Sequence, residues 1–342
     1  MTLSIQKLLV LFVVATISLP LPGATAADYS QALELLRRQD YARAEPLLRE
    51  VLARKADAEA DYLLGFLLIE TYRFEEAEQH LLRAVAARPL EDHWLMVLAK
   101  SQLEQGKNIN AGKTLQQAIN LDPLPGYYHA HAMTALNTGD FDAAEASLRA
   151  CIQEDPEHND ALYRLGGLLI DKGRGEDGIA FLERARTLNP DNVDTLYRLG
   201  AAYRHAGRLN EAEKILYAVV ARVPGHVGAL HNLARVLIQS AKYEAAEEVQ
   251  EKFRAMSKLR DEIDFNEQAV RKNPDNIDGR LHLATLLLRA GRTQDALSAL
   301  LAARVLAPRD ARVYRTLATA YRGLGDENNA ERAQRFATMI GG

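Results

Sequence analysis

Residues 159–190 read NDALYRLGGLLIDKGRGEDGIAFLERARTLNP, and residues 193–224 read VDTLYRLGAAYRHAGRLNEAEKILYAVVARVP. Laid over each other at a thirty-four-residue step, Leu165-Gly166 falls on Leu199-Gly200, Gly173 on Gly207, Ala185 on Val219 and Pro190 on Pro224. Self-similarity at this period signals a stack of repeats, each burying its apolar face against its neighbours. It points to a binding scaffold rather than a pocketed enzyme, and it does not name the ligand.

Each unit carries two helical patterns. In 193–224, Leu196, Leu199, Gly200 and Tyr203 recur at three- and four-residue steps and make one helix face. Gly207 supplies a turn, because glycine reaches positive φ without steric cost. Glu211 to Ala221 forms a second helix with Ala212, Leu216 and Val219 on one side, and Pro224 ends it.

These residues resemble the tetratricopeptide repeat family. Its pattern sets small residues at positions 8, 20 and 27 and large apolar ones at 4, 7, 11 and 24, with proline at 32. Small residues let helix backbones approach and large ones fill the space between. The resemblance runs through nearly all the chain after residue 26. Leu64-Gly65 with Ala77, Leu81, Ala84 and Pro89 marks one unit, and Leu98-Ala99 with Ala111, Leu115, Ala118 and Pro123 the next. Ala132, Gly139, Ala144, Leu148, Cys151 and Pro156 mark a third, and the two units quoted above follow it. Leu233-Ala234 with Ala246 opens a sixth, Leu283-Ala284 to Pro308 forms another, and Leu317-Ala318 to Ala330 the last. Ala32, Leu35, Ala44, Leu48 and Val51 look like a leading unit with a shortened first helix. The resemblance implies an all-α fold, a right-handed superhelical solenoid of helix-turn-helix repeats.

The resemblance also implies that first helices line a concave groove through positions 2, 5, 9, 12 and 13. Those slots hold Tyr62, Phe66, Met96, Lys100, His129, Met133 and Asn137 in the first half. They hold Tyr163, Asp171, Tyr197, Arg204, His205, His231, Arg235 and Gln239 further on. The stripe is aromatic at one end and rich in Arg, His and amides in the middle, and aromatics with arginine favour interface hot spots. For any one tyrosine, shielding of an interhelix seam is an equal alternative. The slots lack the Lys-Asn-Asn-Lys-Arg pattern of repeats that grip a peptide C-terminus; Asn137 and Asn232 are too isolated to build it.

Two departures matter. Gln334 stands where a large apolar residue is usual, beside Glu331, Arg332 and Arg335, as suits a terminal repeat with nothing stacked beyond it; Phe336 is the alternative occupant after a small rotation. The second departure is between Pro224 and Pro274, fifty residues apart instead of thirty-four. Residues 243–272 contain no glycine or proline, and Ala246, Val249, Phe253, Met256 and Ile263 approximate a three-four apolar seam. One lengthened helix would expose that seam to a partner helix or to a second copy in a homodimer. Two helices kinked near Ser257 are the alternative. The implied organisation is a signal segment at 1–26, an N-terminal block at 27–240, an insertion at 241–274 and a C-terminal block at 275–342.

Residues 1–26 stand apart from the repeats. Lys7 precedes an apolar run from Leu8 to Leu19, Pro20, Pro22 and Gly23 break it, and Ala24-Thr25-Ala26 fits the small-residue cleavage rule. We read a secretory signal cut after Ala26; an uncleaved anchor is the alternative. No other run is apolar for long enough to span a bilayer. The expected location is a bacterial periplasm or exterior. Of the 342 residues, 48% are hydrophobic and 26% charged, in keeping with a folded chain. Net charge is −4, and −5 once Lys7 is removed, so nothing suggests nucleic-acid binding. A single cysteine, Cys151, excludes an intrachain disulfide and takes a small packing slot.

No catalytic signature is present, neither a phosphate-binding glycine loop after a strand nor G-x-S-x-G nor H-E-x-x-H. The repeats leave no room for a separate catalytic domain. The nine histidines are scattered; His205 and His231 could lie close, but a metal would need more ligands. We therefore expect no enzyme, no cofactor and no metal. The leading expectation is an exported scaffold that binds protein or peptide and helps assemble or tether an envelope or secretion complex. Binding of an exported polysaccharide, on faces such as Tyr62, Phe66, Tyr163 and Tyr197, is the second expectation. A regulatory subunit of a secreted enzyme is the third.

Overall fold

The computed structural model describes residues 26–341, all of them in helices and the short turns between them. The signal-segment reading of residues 1–26 lies outside the described residues except for Ala26. Two compact units divide the described residues, one running up to Leu168 and the other starting at Leu169.

The first unit contains α1 (Ala26–Arg37), α2 (Tyr41–Arg54), α3 (Ala58–Glu70), α4 (Phe74–Ala87), α5 (Asp92–Glu104), α6 (Asn108–Leu121), α7 (Pro125–Thr138) and α8 (Phe141–Glu154). They pair as hairpins α1–α2, α3–α4, α5–α6 and α7–α8, and each hairpin packs on the next through its second helix. The division falls inside α9 (Asn159–Asp171). The second unit continues with α10 (Gly175–Leu188), α11 (Val193–His205), α12 (Leu209–Arg222), α13 (Val227–Gln239) and α14 (Tyr243–Lys272). It ends with α15 (Ile277–Arg289), α16 (Thr293–Leu306), α17 (Ala311–Gly323) and α18 (Glu327–Gly341). Hairpins α11–α12, α13–α14, α15–α16 and α17–α18 repeat the same pairing.

The small-residue slots do what their size implies. A Cβ on Gly65 of α3 would lie 2.6 Å from Cγ of Leu81 on α4, and one on Gly200 of α11 would lie 2.8 Å from Cγ of Leu216 on α12. Real side chains do not approach so closely, so glycine at this slot lets the leucine of the paired helix seat fully. Ala77, Ala84, Ala212, Leu81, Leu216 and Val219 are all completely buried. Helix starts carry their own signals: Asp40, Asp57, Asp140, Asn192, Asn276 and Asp310 each accept a backbone N–H of the first turn.

Between Tyr243 and Lys272 the chain is one helix of 30 residues, about 45 Å long at 1.5 Å per residue. The residues of its expected seam are largely covered within the chain. Ala246 and Val249 are buried in the α13–α14 hairpin, while Leu259 and Ile263 enter the core built by Leu281, Leu283 and Ala284 of α15. Phe253 and Met256 are half-buried. The expected open seam is thus corrected: the helix serves the hairpin before it with one end and the hairpin after it with the other. At the end of the chain, Gln334 is half-buried and the Phe336 ring rests on Tyr314 of α17 at 4.4 Å.

Candidate functional site

The groove slots fall into three physical situations. In the first unit, Tyr62 and Phe66 are buried, only 1% and 4% exposed. Tyr62 is stacked on Trp94 at 4.9 Å with the rings 11° apart, and Trp94 belongs to the next hairpin. Its hydroxyl is enclosed without a hydrogen-bond partner, and burial raises its pKa well above the usual tyrosine value. These two rings are core, and neither offers a face to solvent. Met96, Met133 and Tyr163 are half-buried.

The Lys100 and His129 slots of the first unit have partners within the chain. Lys100 Nζ lies 3.1 Å from a carboxylate oxygen of Glu70. His129 Nε2 is 2.6 Å from Asp160 Oδ2, which Arg164 also reaches at 2.6 Å. Burial alone would raise the Asp160 carboxyl, but hydrogen bonds from His129 and Arg164 outweigh it and hold the pKa down at about 2. The His129 ring also lies 4.8 Å from His158. Cys151 is fully buried, and burial with the nearby Asp155 and Asp160 pushes its thiol up to about 11, so it is a packing residue.

The second unit differs. Arg204 and His205 end α11, while His231, Asn232 and Arg235 sit on α13, the first helix of the next hairpin, which packs directly against α11. Arg204 Nε donates to Asn232 Oδ1 at 2.9 Å, and its terminal nitrogen donates to His205 Nε2 at 2.8 Å. Arg204 is half-buried; His205, His231, Arg235 and Gln239 are exposed. Among the described residues no carboxylate lies within ion-pair distance of Arg204 or Arg235. Burial and then the neighbouring Arg235 lower the Arg204 pKa, and burial, Arg204 and Arg235 together lower that of His205. Among the described residues most other arginines lie beside an acid, whereas Arg204 feels the positive charge of Arg235.

Aromatic rings edge this patch. Tyr197 lies 4.6 Å from His226, with its hydroxyl over Gly228, where a Cβ would stand 2.6 Å away. The His231 ring is 5.3 Å from Phe253 of α14. His205 is also on the wall of a cleft of about 550 Å³ lined by Ile170, Gly173, Gly175, Glu176, Ala202 and Ala206. The slots thus gather Tyr197, Arg204, His205, His231 and Arg235 on two adjacent helices, and leave Gln239 at the far end of α13. Asn232, His226 and Phe253 complete the patch. Asn232 was legible as the neighbour of His231, but the roles of His226 and Phe253 depend on tertiary packing. No group of three or more His, Cys, Asp or Glu side chains suited to a metal occurs among the described residues.

The helical hairpins, their small-residue contacts and the exposed first-helix side chains define a helical-repeat scaffold. Models of the tetratricopeptide repeat match residues 35–101, 129–193, 169–222, 203–251 and 264–333, well over half of the chain. The chain belongs to the tetratricopeptide repeat family. It is similar to the cellulose synthase operon protein C of Pseudomonas fluorescens (strain SBW25), at 28% identity over 166 residues covering 45% of this chain and 13% of that protein. It is likewise similar to the cellulose synthase operon protein C of Xanthomonas axonopodis pv. citri (strain 306), at 31% over 164 residues covering 45% and 11%. The chain therefore spans about a tenth of the length of these curated relatives. Among solved structures, the C-terminal part of a repeat-containing protein from Cytophaga hutchinsonii superposes with a TM-score of 0.55 at 16% identity, covering 73% of this chain and 98% of that one, which bears on the fold alone. No helix of the described residues is long and apolar enough to cross a membrane.

Proposed function

We propose that this chain is a non-catalytic, exported scaffold that binds protein partners, and that the Arg204–His205–Arg235 patch takes an acidic peptide segment. One observation carries the reading: two adjacent arginines, one of them half-buried, have no carboxylate of their own. Holding like charges together costs free energy that a bound anion returns. Arg204 is braced by Asn232, so its guanidinium is oriented before a ligand arrives. Tyr197 and His231 supply flat apolar area beside the charges, the combination that interface anchors use.

The test is fluorescence anisotropy with a labelled glutamate-rich heptapeptide and its glutamine counterpart. Arg204→Ala and Arg235→Ala are each expected to weaken the acidic peptide roughly ten- to hundredfold, as the loss of a charge-assisted hydrogen bond worth about 1.5–3 kcal/mol implies. Burial, then Arg204 and Arg235, lower the His205 pKa, and a bound carboxylate offsets the two positive charges and raises its affinity for a proton. Binding should therefore tighten as pH falls through the range in which the imidazole takes up its proton. Equal affinity for the two peptides, or variants that bind like the parent, would refute the reading.

A second reading is favoured by the curated relatives, whose printed name places them in a cellulose synthase operon. On that reading the scaffold works in the envelope beside an exported polysaccharide and touches the polymer itself. Of the rings expected to meet sugar, Tyr62 and Phe66 are buried, so any contact falls to other aromatics. Self-association through residues 243–272 is a separate proposal. With the seam occupied, it would rest on the exposed Tyr243 and Phe265, and sedimentation of a Phe265→Ser variant tests it.

A further inference from the structure

The turn inside each hairpin places one residue at positive φ. Glycine fills that place at Gly106, Gly139, Gly173, Gly207, Gly291 and Gly325. Three turns use other residues, Gln39, Tyr72 and Ala241, at φ of 58°, 61° and 58°. A side chain in this left-handed region costs conformational free energy that glycine does not. Of the three, only Tyr72 is large, and its side chain does not recover the cost by burial: it is 80% exposed. A strained backbone that holds an aromatic ring in water calls for a reason outside the fold.

The surroundings of Tyr72 narrow that reason. Phe74 meets its ring edge-on at 6.1 Å and 84°. Beside it is a shallow notch of about 90 Å³ lined by Ile69, Glu70, Tyr72, Phe74, Lys100 and Glu104. That volume is far below the roughly 300 Å³ at which pockets begin to enclose ligands, and it is no socket for an apolar anchor of a protein partner. The feature is a flat ring with a polar margin, two carboxylates and one ammonium. Carboxylates and ammonium groups bond hydroxyls, and an aromatic face takes the C–H face of a pyranose. The margin carries one net negative charge, which disfavours an acidic chain.

We propose that Tyr72 is a stacking platform for a neutral pyranose polymer lying across the turn between α3 and α4, with hydroxyls bonded by Glu70, Glu104 and Lys100. The proposal rests on the polysaccharide reading above and assigns it a site in the first unit.

The test is calorimetric titration of the full mature chain with cellohexaose and, in parallel, with a guluronate hexamer. The parent is expected to bind cellohexaose and to bind the acidic hexamer at least about tenfold more weakly. Tyr72→Gly should melt at a higher temperature, because the strain is gone, yet lose at least about tenfold in affinity for cellohexaose. Tyr72→Phe should stay within about threefold of the parent. Both variants should keep the parent's helical circular dichroism, which reports an intact fold. No binding of cellohexaose by the parent at millimolar concentration overturns the proposal and the polysaccharide reading together. Binding by the parent that is unchanged in Tyr72→Gly overturns the Tyr72 assignment alone. Equal affinity for the two hexamers, or a Tyr72-dependent protein partner without sugar binding, also overturns it.

Discussion

His158 and His226 stand immediately before α9 and α13, and the Nδ1 of each accepts the backbone N–H three residues on, from Ala161 at 3.2 Å and Ala229 at 3.0 Å. Only a neutral imidazole can accept there, because the imidazolium carries a proton on both nitrogens. The surroundings of His158 favour the neutral ring: burial and then His129 lower its pKa, against weaker pulls from Asp155, its own backbone and Asp160. A histidine with a lowered pKa in the folded chain binds fewer protons than in the unfolded one. Its contribution is present above pH 6.5 and is lost as pH falls through the lowered value. His158→Asn keeps a capping acceptor without a titrating ring. It should flatten the acid-side loss by about 1 kcal/mol, the worth of one cap. Urea denaturation at pH 7.5 and 5.5 checks this, and an unchanged difference between the two pH values would count against it. A sequence reader sees a histidine before a helix; that its ring turns back to cap the helix is a matter of side-chain geometry.

At the scale of the element, α14 is the informative case. Its absence of glycine and proline was legible, and so was its apolar spacing. What the spacing could not say is which surface would cover it. Val249 and Ile263 lie four turns apart on one rod, and each is covered by a different hairpin of the same unit. The helix is therefore a strut within the core, and shortening it would disrupt two hairpins at once. Ile263, 2% exposed, packs in the cluster of Leu281, Leu283 and Ala284. Ile263→Ala is expected to cost about 2–5 kcal/mol. Arg260→Ala, on an exposed position of the same stretch, should stay within about 0.5 kcal/mol. Guanidinium unfolding of both variants decides the matter, and a mild Ile263→Ala would mean that the C-terminal half of α14 is dispensable.

For the whole molecule, charge and export make a joint expectation. The export reading concerns residues 1–26, so its check is on the mature protein. Expressed with its natural start in a Gram-negative host, the chain should be recovered from the periplasm beginning at Ala27, without Lys7 and with net charge −5. Intact mass measures this directly, and retention of residues 1–26 in a membrane fraction would favour the uncleaved anchor. On an acidic chain, a local basic patch gains meaning. On the proposed reading, attraction of an acidic partner comes from Arg204, Arg235 and their surroundings and not from net charge. Such a short-range attraction is screened by salt over about 8 Å at physiological ionic strength.

The repeat length, the helix pairs and the turns were determined by the sequence itself. Each depends on residues within one thirty-four-residue unit: Gly200 admits Leu216, Gly207 makes the turn, and Pro224 follows the helix. Local sterics act over that distance and repeat with it. Exposure and charge pairing were decided only by tertiary structure, because the covering group comes from the next unit. Trp94 closes over Tyr62 from 32 residues away, and Glu70 neutralises Lys100 from 30. Arg204 finds an amide on Asn232, and no acid, across the same kind of gap. A slot pattern can place these side chains on one helix face. Which of them remains free to bind is settled by what the neighbouring hairpin happens to carry.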